Sequence, residues 1–337
     1  MTVLELSHPA WGEFVASQRD ATLFHHPAWA GLLAECYGFR AHAVTISRHG
    51  ALDGGAPVIE VGRPLGRRRW VSLPFTDHCA PLGAEASADL VGALTEAGRG
   101  RALDGIEVRA PLPQGDAVQW TSAHVRHELD LTPGAERVFA GFNKNHRRNA
   151  RIAERAGVRI VRGSSADDLE VFYRLHLRTR RRLGVPIQPR RFFRLLRERV
   201  LTPGLGFILT AYSGETPVAS AVFGSHNGTL IYKYSARDER YAKLDANYLL
   251  LWSAIRWGCE SGHRTFDLGR SDLDQPLLRG FKDGWGARED PLSYAWIARA
   301  PMKTRGRRLD GALGMVIRNS SPLLCRAVGE LFYKYAG

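Results

Sequence analysis

Two hydrophobic periods alternate along this chain. In the second half, Ser165-Ala166-Asp167-Asp168 has the form of a helix N-cap followed by acids in the first turn. The helical period then runs to about Leu183 and stops at Gly184, with Pro186 just beyond. Pro189 opens a second helix to about Val200. The period then falls to two, predicting strands over 207–212, 218–225 and 229–235. Ser213-Gly214-Glu215-Thr216 and Asn227-Gly228 are the intervening turns, and Asn-Gly between apolar alternations is a strong hairpin signal. A helix over 245–261 delivers a last strand over 266–271.

The first half reads as a looser copy. Strands are expected over 41–46, 56–61 and 70–73, with 48–55 rich in turn residues. A helix over 86–98 carries Leu90, Val91 and Leu94 on one face, and strands follow over 105–110 and 124–131. The fold class is therefore α/β (α+β): mixed, mostly antiparallel sheets flanked by helices, in two similar halves. Gly134 and Gly157 punctuate the junction, which divides the chain into 1–135, 136–300 and a tail, 301–337. The tail opens with the basic run Lys303, Arg305, Arg307 and Arg308 and continues with apolar residues at helical spacing over 313–317 and 323–335.

Charge changes the picture more than bulk composition does. The 337 residues carry a formal net charge of +13. Residues 144–199 alone hold 17 Lys and Arg against five Asp and Glu, so the rest of the chain is nearly neutral. Such a local field suits a polyanion: tRNA, a diphosphate-linked carrier or an acidic membrane surface. A solvated arginine face is the plain alternative. The four cysteines, Cys36, Cys79, Cys259 and Cys325, are far apart in sequence and form no CxxC pair. Neither a disulfide framework nor a metal site is expected, and a reducing cytoplasm fits. No basic segment leads into an apolar run at the start of the chain, and no stretch approaches about 18 consecutive apolar residues. Neither a signal peptide nor a transmembrane helix is expected.

Four segments carry a family likeness. They are Phe24-His25-His26-Pro27-Ala28-Trp29; Leu73-Pro74-Phe75-Thr76-Asp77-His78-Cys79-Ala80-Pro81-Leu82; the basic helix from Phe142 to Val158, with Arg147-Arg148, Arg151, Ala153 and Gly157; and Phe266-Asp267-Leu268-Gly269-Arg270-Ser271 followed by Phe281-Lys282-Asp283-Gly284-Trp285-Gly286-Ala287. In this order and spacing the chain resembles the FemAB-like branch of the GNAT acyltransferase superfamily. That resemblance implies tandem GNAT-like domains and transfer of an acyl or aminoacyl group to an amine. It also implies an essential role for Lys282.

Amine acylation needs a deprotonated amine, a stabilised oxyanion and close positioning. Lys282 is expected to face the developing oxyanion or hold the donor ester. Asp267 would accept the amine's proton or orient Arg270 at the strand's end. A surface lysine and a structural turn salt bridge are the plain alternatives. Asp77 and His78, in a proline-bounded loop, are candidates for substrate contact or proton transfer, or else a loop-ordering pair. Tyr232, Ser271 and Trp285 complete the candidate substrate contacts. His25 and His26 read as a helix-start feature. Lys144, Arg147, Arg148 and Arg151 fall at i, i+3, i+4 and i+7, on one helical face aimed at phosphates.

A missing glycine bears on the donor. CoA-dependent GNAT enzymes hold pyrophosphate in a Gly-rich loop before a helix N-terminus. Here residues 236–247 contain no glycine, and Asp245 stands at the cap, where it would repel phosphate. No tightly bound cofactor is expected. The family resemblance then implies aminoacyl-tRNA as the donor, with acyl-CoA as the alternative. The acceptor would be an amine on a cell-envelope precursor or small molecule. The competing class is a non-catalytic nucleic-acid-binding module. The tail gives two expectations: an amphipathic element on the inner face of the membrane, or a helix that closes the second core.

Overall fold

Each half of the chain runs strand, two helices, three strands, helix, strand. In the computed structural model, which describes residues 1–62, 68–83, 87–120, 124–298, 314–315, 317–318 and 321–333, the first run is β1 (Thr2–Glu5), α1 (Pro9–Ser17), α2 (Pro27–Tyr37), β2 (Arg40–Arg48), β3 (Ala51–Gly62), β4 (Arg68–Val71), α3 (Ser87–Gly100) and β5 (Ile106–Val108). After β6 (Val118–Trp120), β7 (His124–Asp130), α4 (Ala135–Gly141) and α5 (Lys144–Arg155), the order repeats. It comprises β8 (Arg159–Gly163), α6 (Ala166–Leu183), α7 (Arg190–Leu196), β9 (Gly206–Ser213), β10 (Thr216–His226), β11 (Thr229–Arg237), α8 (Ala246–Glu260) and β12 (Thr265–Asp272). The chain continues through α9 (Pro276–Asp283), β13 (Arg288–Leu292), β14 (Ala295–Ile297) and α10 (Pro322–Phe332).

Two seven-stranded sheets result, in the orders β1-β2-β3-β4-β5-β14-β6 and β13-β7-β12-β11-β10-β9-β8. The repeat extends to strand direction. β4 pairs parallel with β5 (Trp70↔Ile106), and β11 pairs parallel with β12 (Thr229↔Thr265 to Ile231↔Asp267), whereas β2–β3 and β9–β10–β11 are antiparallel. A parallel pair needs a crossover, which α3 and α8 supply. The β11–β12 ladder stops at Ile231↔Asp267, so the later residues of the two strands are not paired with each other.

The compact units are discontinuous. One comprises 1–126, 270–274 and 290–304; the other comprises 127–269, 275–289 and 305–337. The sequence-based division at 135 and 300 has continuous segments instead, because the pattern does not reveal that β14 joins the first sheet. There it pairs antiparallel with both β5 and β6. In the first unit Val44, Val58, Trp70, Leu90, Leu94, Ile106 and Ala295 share one core. In the second, Phe142, Phe207, Phe223, Leu230, Leu250, Ile255, Phe266 and Trp285 share another.

Local chemistry accounts for the element ends. Ser165 and Asp168 form a reciprocal capping box on α6, and Gly184 ends that helix in the left-handed region at φ 72°. His26 caps α2 through Nδ1, which accepts from Ala28 N at 3.1 Å. The stretch 48–55 departs from expectation. Only His49 and Gly50 turn the chain, at φ 51° and 83°, and β3 begins at Ala51. Gly55 serves packing instead: a Cβ there would lie 2.7 Å from the Trp11 ring.

The tail helix α10 packs on α6. Glu330 Oε1 accepts from Arg190 N at 2.9 Å, and the Cys325 thiol lies 3.6 Å from Val185 O. The basic residues at 303–308 lie outside the described residues. No described helix is long and apolar enough to cross a membrane. At Gly329 an added Cβ would sit 1.9 Å from Ile187 O, so the backbone of α10 rests directly on the chain after α6. Gly329→Val is expected to lower stability by about 1–3 kcal/mol, the usual cost of overpacking. Thermal denaturation checks this. An unchanged midpoint, together with an unchanged midpoint on deleting residues after Arg308, would show that α10 is not part of the fold.

Candidate functional site

The end of β12 is shaped by one glycine. Gly269 adopts φ 73°, a conformation that side chains rarely take. The turn is fixed when Asp267 Oδ1 accepts from Gly269 N at 2.6 Å. The Gly269 carbonyl then accepts from Lys282 Nζ at 2.9 Å. Lys282 lies in the last turn of α9 and is only 5% exposed. Burying an ammonium group costs several kcal/mol unless polar groups compensate, so its position is a built feature. Asp267, itself buried, serves the turn, and Lys282 is not a surface lysine.

Sequence reasoning missed His127. It is 0% exposed, and neither ring nitrogen has a hydrogen-bond partner among the described residues. Burial and then the Lys282 charge push it down to about 4, so it is neutral at pH 7. Glu289 Oε2 is 3.8 Å from its Nε2, and Arg279 holds Glu289 at 2.7 Å. The signal was available: strict alternation over 124–130 puts Val125, His127 and Leu129 on the buried face.

The remaining second-unit candidates have mixed placements. Trp285 is fully buried, 5.0 Å from Phe142 and 4.7 Å from His146, with ring planes near perpendicular. Its neighbour Gly284 has no room for a side chain, since a Cβ would meet His146 Cε1 at 2.3 Å. Tyr232 packs on Phe223, and burial pushes its phenol up to about 12. On α5, Arg147 turns back to donate to Ala140 O at 2.6 Å and to Phe142 O, tying down the end of α4. Arg151 lies over the Phe139 ring at 5.4 Å. Lys144, Arg148 and Arg151 are the exposed members of the face.

The mouth of α8 is narrow. Asp238 accepts from Arg178 at 3.0 Å and from Arg240 at 2.6 Å. Asp245 takes the cap position at φ 52° with no side-chain bond to the helix, and burial raises its carboxyl pKa, with Arg148 and Arg237 opposing. The cavity here, lined by Val218, Asp238, Tyr241, Asp245, Asn247 and Tyr248 among others, has a volume of about 20 Å³. That is room for about one water.

Arg270, Ser271, Asp77 and His78 belong to the first unit. Arg270 Nη1 donates to Tyr294 OH at 2.9 Å and lies 3.5 Å from His124 Nε2. Tyr294 OH donates to the Asp77 carbonyl, and Arg109 donates to Thr76 O at 2.8 Å, so this loop is held from two sides. His78 Nε2 is 3.3 Å from Arg126 Nη1. Within the loop Leu73 and Phe75 take φ 64° and 61°. Such strain costs about 1–3 kcal/mol per residue and clusters at functional sites. Ser271 Oγ is buried without a hydrogen-bond partner among the described residues.

This architecture has known counterparts. Residues 140–282 match the family described as acetyltransferase (GNAT) domain. Solved structures share the fold over most of the chain. FemX superposes with a TM-score of 0.70 at 13% identity, covering 88% of this chain and 97% of its own. The C-terminal domain of a putative lysylphosphatidylglycerol synthetase from Agrobacterium fabrum gives 0.57 at 14% identity, covering 95% of each chain. L-PGS from Bacillus licheniformis gives 0.57 at 12% identity, covering 94% of this chain and 98% of its own. These are likenesses of fold. No protein of curated function matches the sequence.

Two buried histidines make stability depend on pH. Burial holds His127 down to about 4 and His176 down to about 3, from an ordinary 6.5. Between these values the unfolded chain binds protons that the folded chain refuses. Their contribution is therefore complete above pH 6.5 and is lost as pH falls toward 4. The urea midpoint is expected to drop between pH 7 and pH 4.5. His127→Gln combined with His176→Gln should flatten that drop, and a wild-type midpoint constant over this range would contradict the assignment.

Proposed function

We propose that the protein is an N-aminoacyl transferase that moves an aminoacyl group from aminoacyl-tRNA to an amine of a cell-envelope precursor or small molecule. The narrow, glycine-free mouth of α8 carries this reading. A pyrophosphate needs open backbone N–H groups at a helix N-terminus and repels a carboxylate. Here Asp245 occupies that end, and the space admits about one water. A donor that carries its charge along a polynucleotide needs no such pocket and uses basic side chains spread over a surface. Lys144, Arg148 and Arg151 offer three. The fold likeness to FemX and to lysylphosphatidylglycerol synthetases is consistent with aminoacyl chemistry.

Chemically, no protein nucleophile is required. The amine attacks the ester carbonyl, and negative charge develops on its oxygen. Lys282 is the cation placed to oppose that charge: desolvation strengthens its field, and the Gly269 carbonyl fixes its direction. The alternative acyl-CoA donor is favoured by the GNAT match itself, so donor choice is the first experiment. The chain should bind tRNA with an affinity that falls steeply with salt, and should bind acetyl-CoA weakly or not at all. Calorimetry giving micromolar acetyl-CoA affinity, with no tRNA retained at low salt, would overturn this.

Lys282→Ala should abolish turnover while tRNA affinity survives. Full activity in that variant would leave only a binding module. Arg148→Ala should raise KM for the donor more than it lowers kcat. Arg147→Ala should instead lower the melting temperature, because it frees the Ala140 and Phe142 carbonyls. Equal KM effects from the two variants would mean that Arg147 also meets the donor.

A further inference from the structure

The two expectations for the tail are compatible. Helix α10 rests on the chain after α6 through Cys325 and Gly329, which lie one helical turn apart. Its first turn turns other side chains outward: Leu323 is 73% exposed and Leu324 38%. Leu183, at the end of α6, is 50% exposed, and Met315 is 66% exposed. These four belong to one neighbourhood in the second unit. Leu183 precedes Gly184, where a Cβ would lie 2.7 Å from the Gly314 carbonyl, next to Met315. Leu324 precedes Cys325, whose thiol is 3.6 Å from Val185 O. We propose that this joint end of α6 and α10 docks on an anionic phospholipid surface, with the three leucines and Met315 seated among the headgroups and the first carbons of the acyl chains. The proposal does not rest on the transferase reading.

The exposure does not reflect a segment that has failed to pack. Ile317 and Cys325 are 0% exposed, so the same stretches that present Met315 and Leu324 bury their neighbours. Isolated apolar side chains are common on surfaces, but four around one point mark an interaction site.

The charge around them has one sign. Residues 171–189 and 314–329 together contain seven arginines and no Asp or Glu. Acids from elsewhere reach only part of this set: Asp238 meets Arg178 and Glu239 meets Arg182, each at 3.0 Å. Glu330, the next acid along α10, accepts from Arg190 N. Arg181, Arg318 and Arg326 stand at the apolar cluster itself. Arg318 Nε would lie 2.5 Å from a Cβ at Gly184. Arg181 is close enough to Cys325 for its charge to oppose the rise that burial imposes on the thiol pKa, and Arg326 is the next residue of α10.

Charge complementarity chooses the occupant. Apolar side chains flanked by arginines fit a surface that sets negative headgroups over hydrocarbon. A polynucleotide would satisfy the arginines and leave the leucines in water. A second copy meeting this face would set the same arginines against one another. At 11 residues, α10 is too short to span a bilayer, so the contact is with one leaflet.

Vesicle sedimentation of the full chain tests this. Phosphatidylcholine vesicles containing phosphatidylglycerol should carry the protein down at low salt, and phosphatidylcholine alone should not. Leu323→Ser with Leu324→Ser should lower partitioning about 10-fold or more and leave its salt dependence unchanged. Arg318→Gln with Arg326→Gln should lower it about 10-fold and flatten the salt dependence. All four of these side chains are exposed, so melting temperatures should stay at the wild-type value. Leu183→Ser, on the other helix, should repeat the leucine effect and decides the matter if an α10 variant is unstable. Equal sedimentation of the wild type and the leucine variants, or no preference for phosphatidylglycerol, overturns the proposal. A dimer in analytical ultracentrifugation that the leucine variants abolish also overturns it, because a second copy would then cover the face. Loss of tRNA retention in the arginine variant with undiminished vesicle binding would assign the arginines to a polynucleotide instead.

Discussion

The hydrogen bond from Lys282 to the Gly269 carbonyl is the constraint around which the second unit is organised. The left-handed turn at Gly269 takes that residue out of regular strand geometry, so its carbonyl needs a donor from elsewhere. The donor is an ammonium group, and bringing it there means burying the last turn of α9. The aromatic layer of Phe142, His146, Tyr248, Phe281 and Trp285 then packs around that helix end, with the His146 ring bonding the Phe281 carbonyl at 2.9 Å. A charge held this way is costly, and the surrounding structure bears that cost through many small contacts. The proposed role of Lys282 in opposing an oxyanion would draw on that fixed geometry.

Much of the second half was legible because its signals are local. The Ser165–Asp168 cap, the Gly184 stop and the Asn227-Gly228 hairpin are each decided within a few residues. The features that escaped depend on distant partners. Nothing near residue 55 says that Trp11 will lie against it. Nothing near Ala295 says that it will pair with Val108 and Trp120. The candidate site divides the same way. Lys282, Asp267 and Arg270 stand in a motif, whereas His127 and His124 are single histidines on an alternating strand, made notable only by what surrounds them.

The charge pattern shows how sequence-local counting misleads. The excess over 144–199 is real, but its arginines recruit acids from outside the segment. Arg178 meets Asp238, Arg182 meets Glu239, and Arg159 lies 3.8 Å from Glu215. Others are spent on structure: Arg180 donates twice to the Pro186 carbonyl, and Arg162 stacks 4.1 Å from both the Phe207 and Trp257 rings. The field that remains is smaller and more localised than the linear sequence implies.

The position of β14 has a bearing on how the chain is made. Its three residues supply the antiparallel partner of both β5 and β6, yet they follow the whole second repeat in sequence. A ribosome delivers the N-terminal strands first. Until residue 297 emerges, β5 presents an open edge that cannot be closed by its native neighbour. The second sheet, by contrast, has six of its seven strands once β12 is out. The order of completion is thus the reverse of the order of synthesis. The nascent first unit must be kept from pairing with other chains until its last strand arrives.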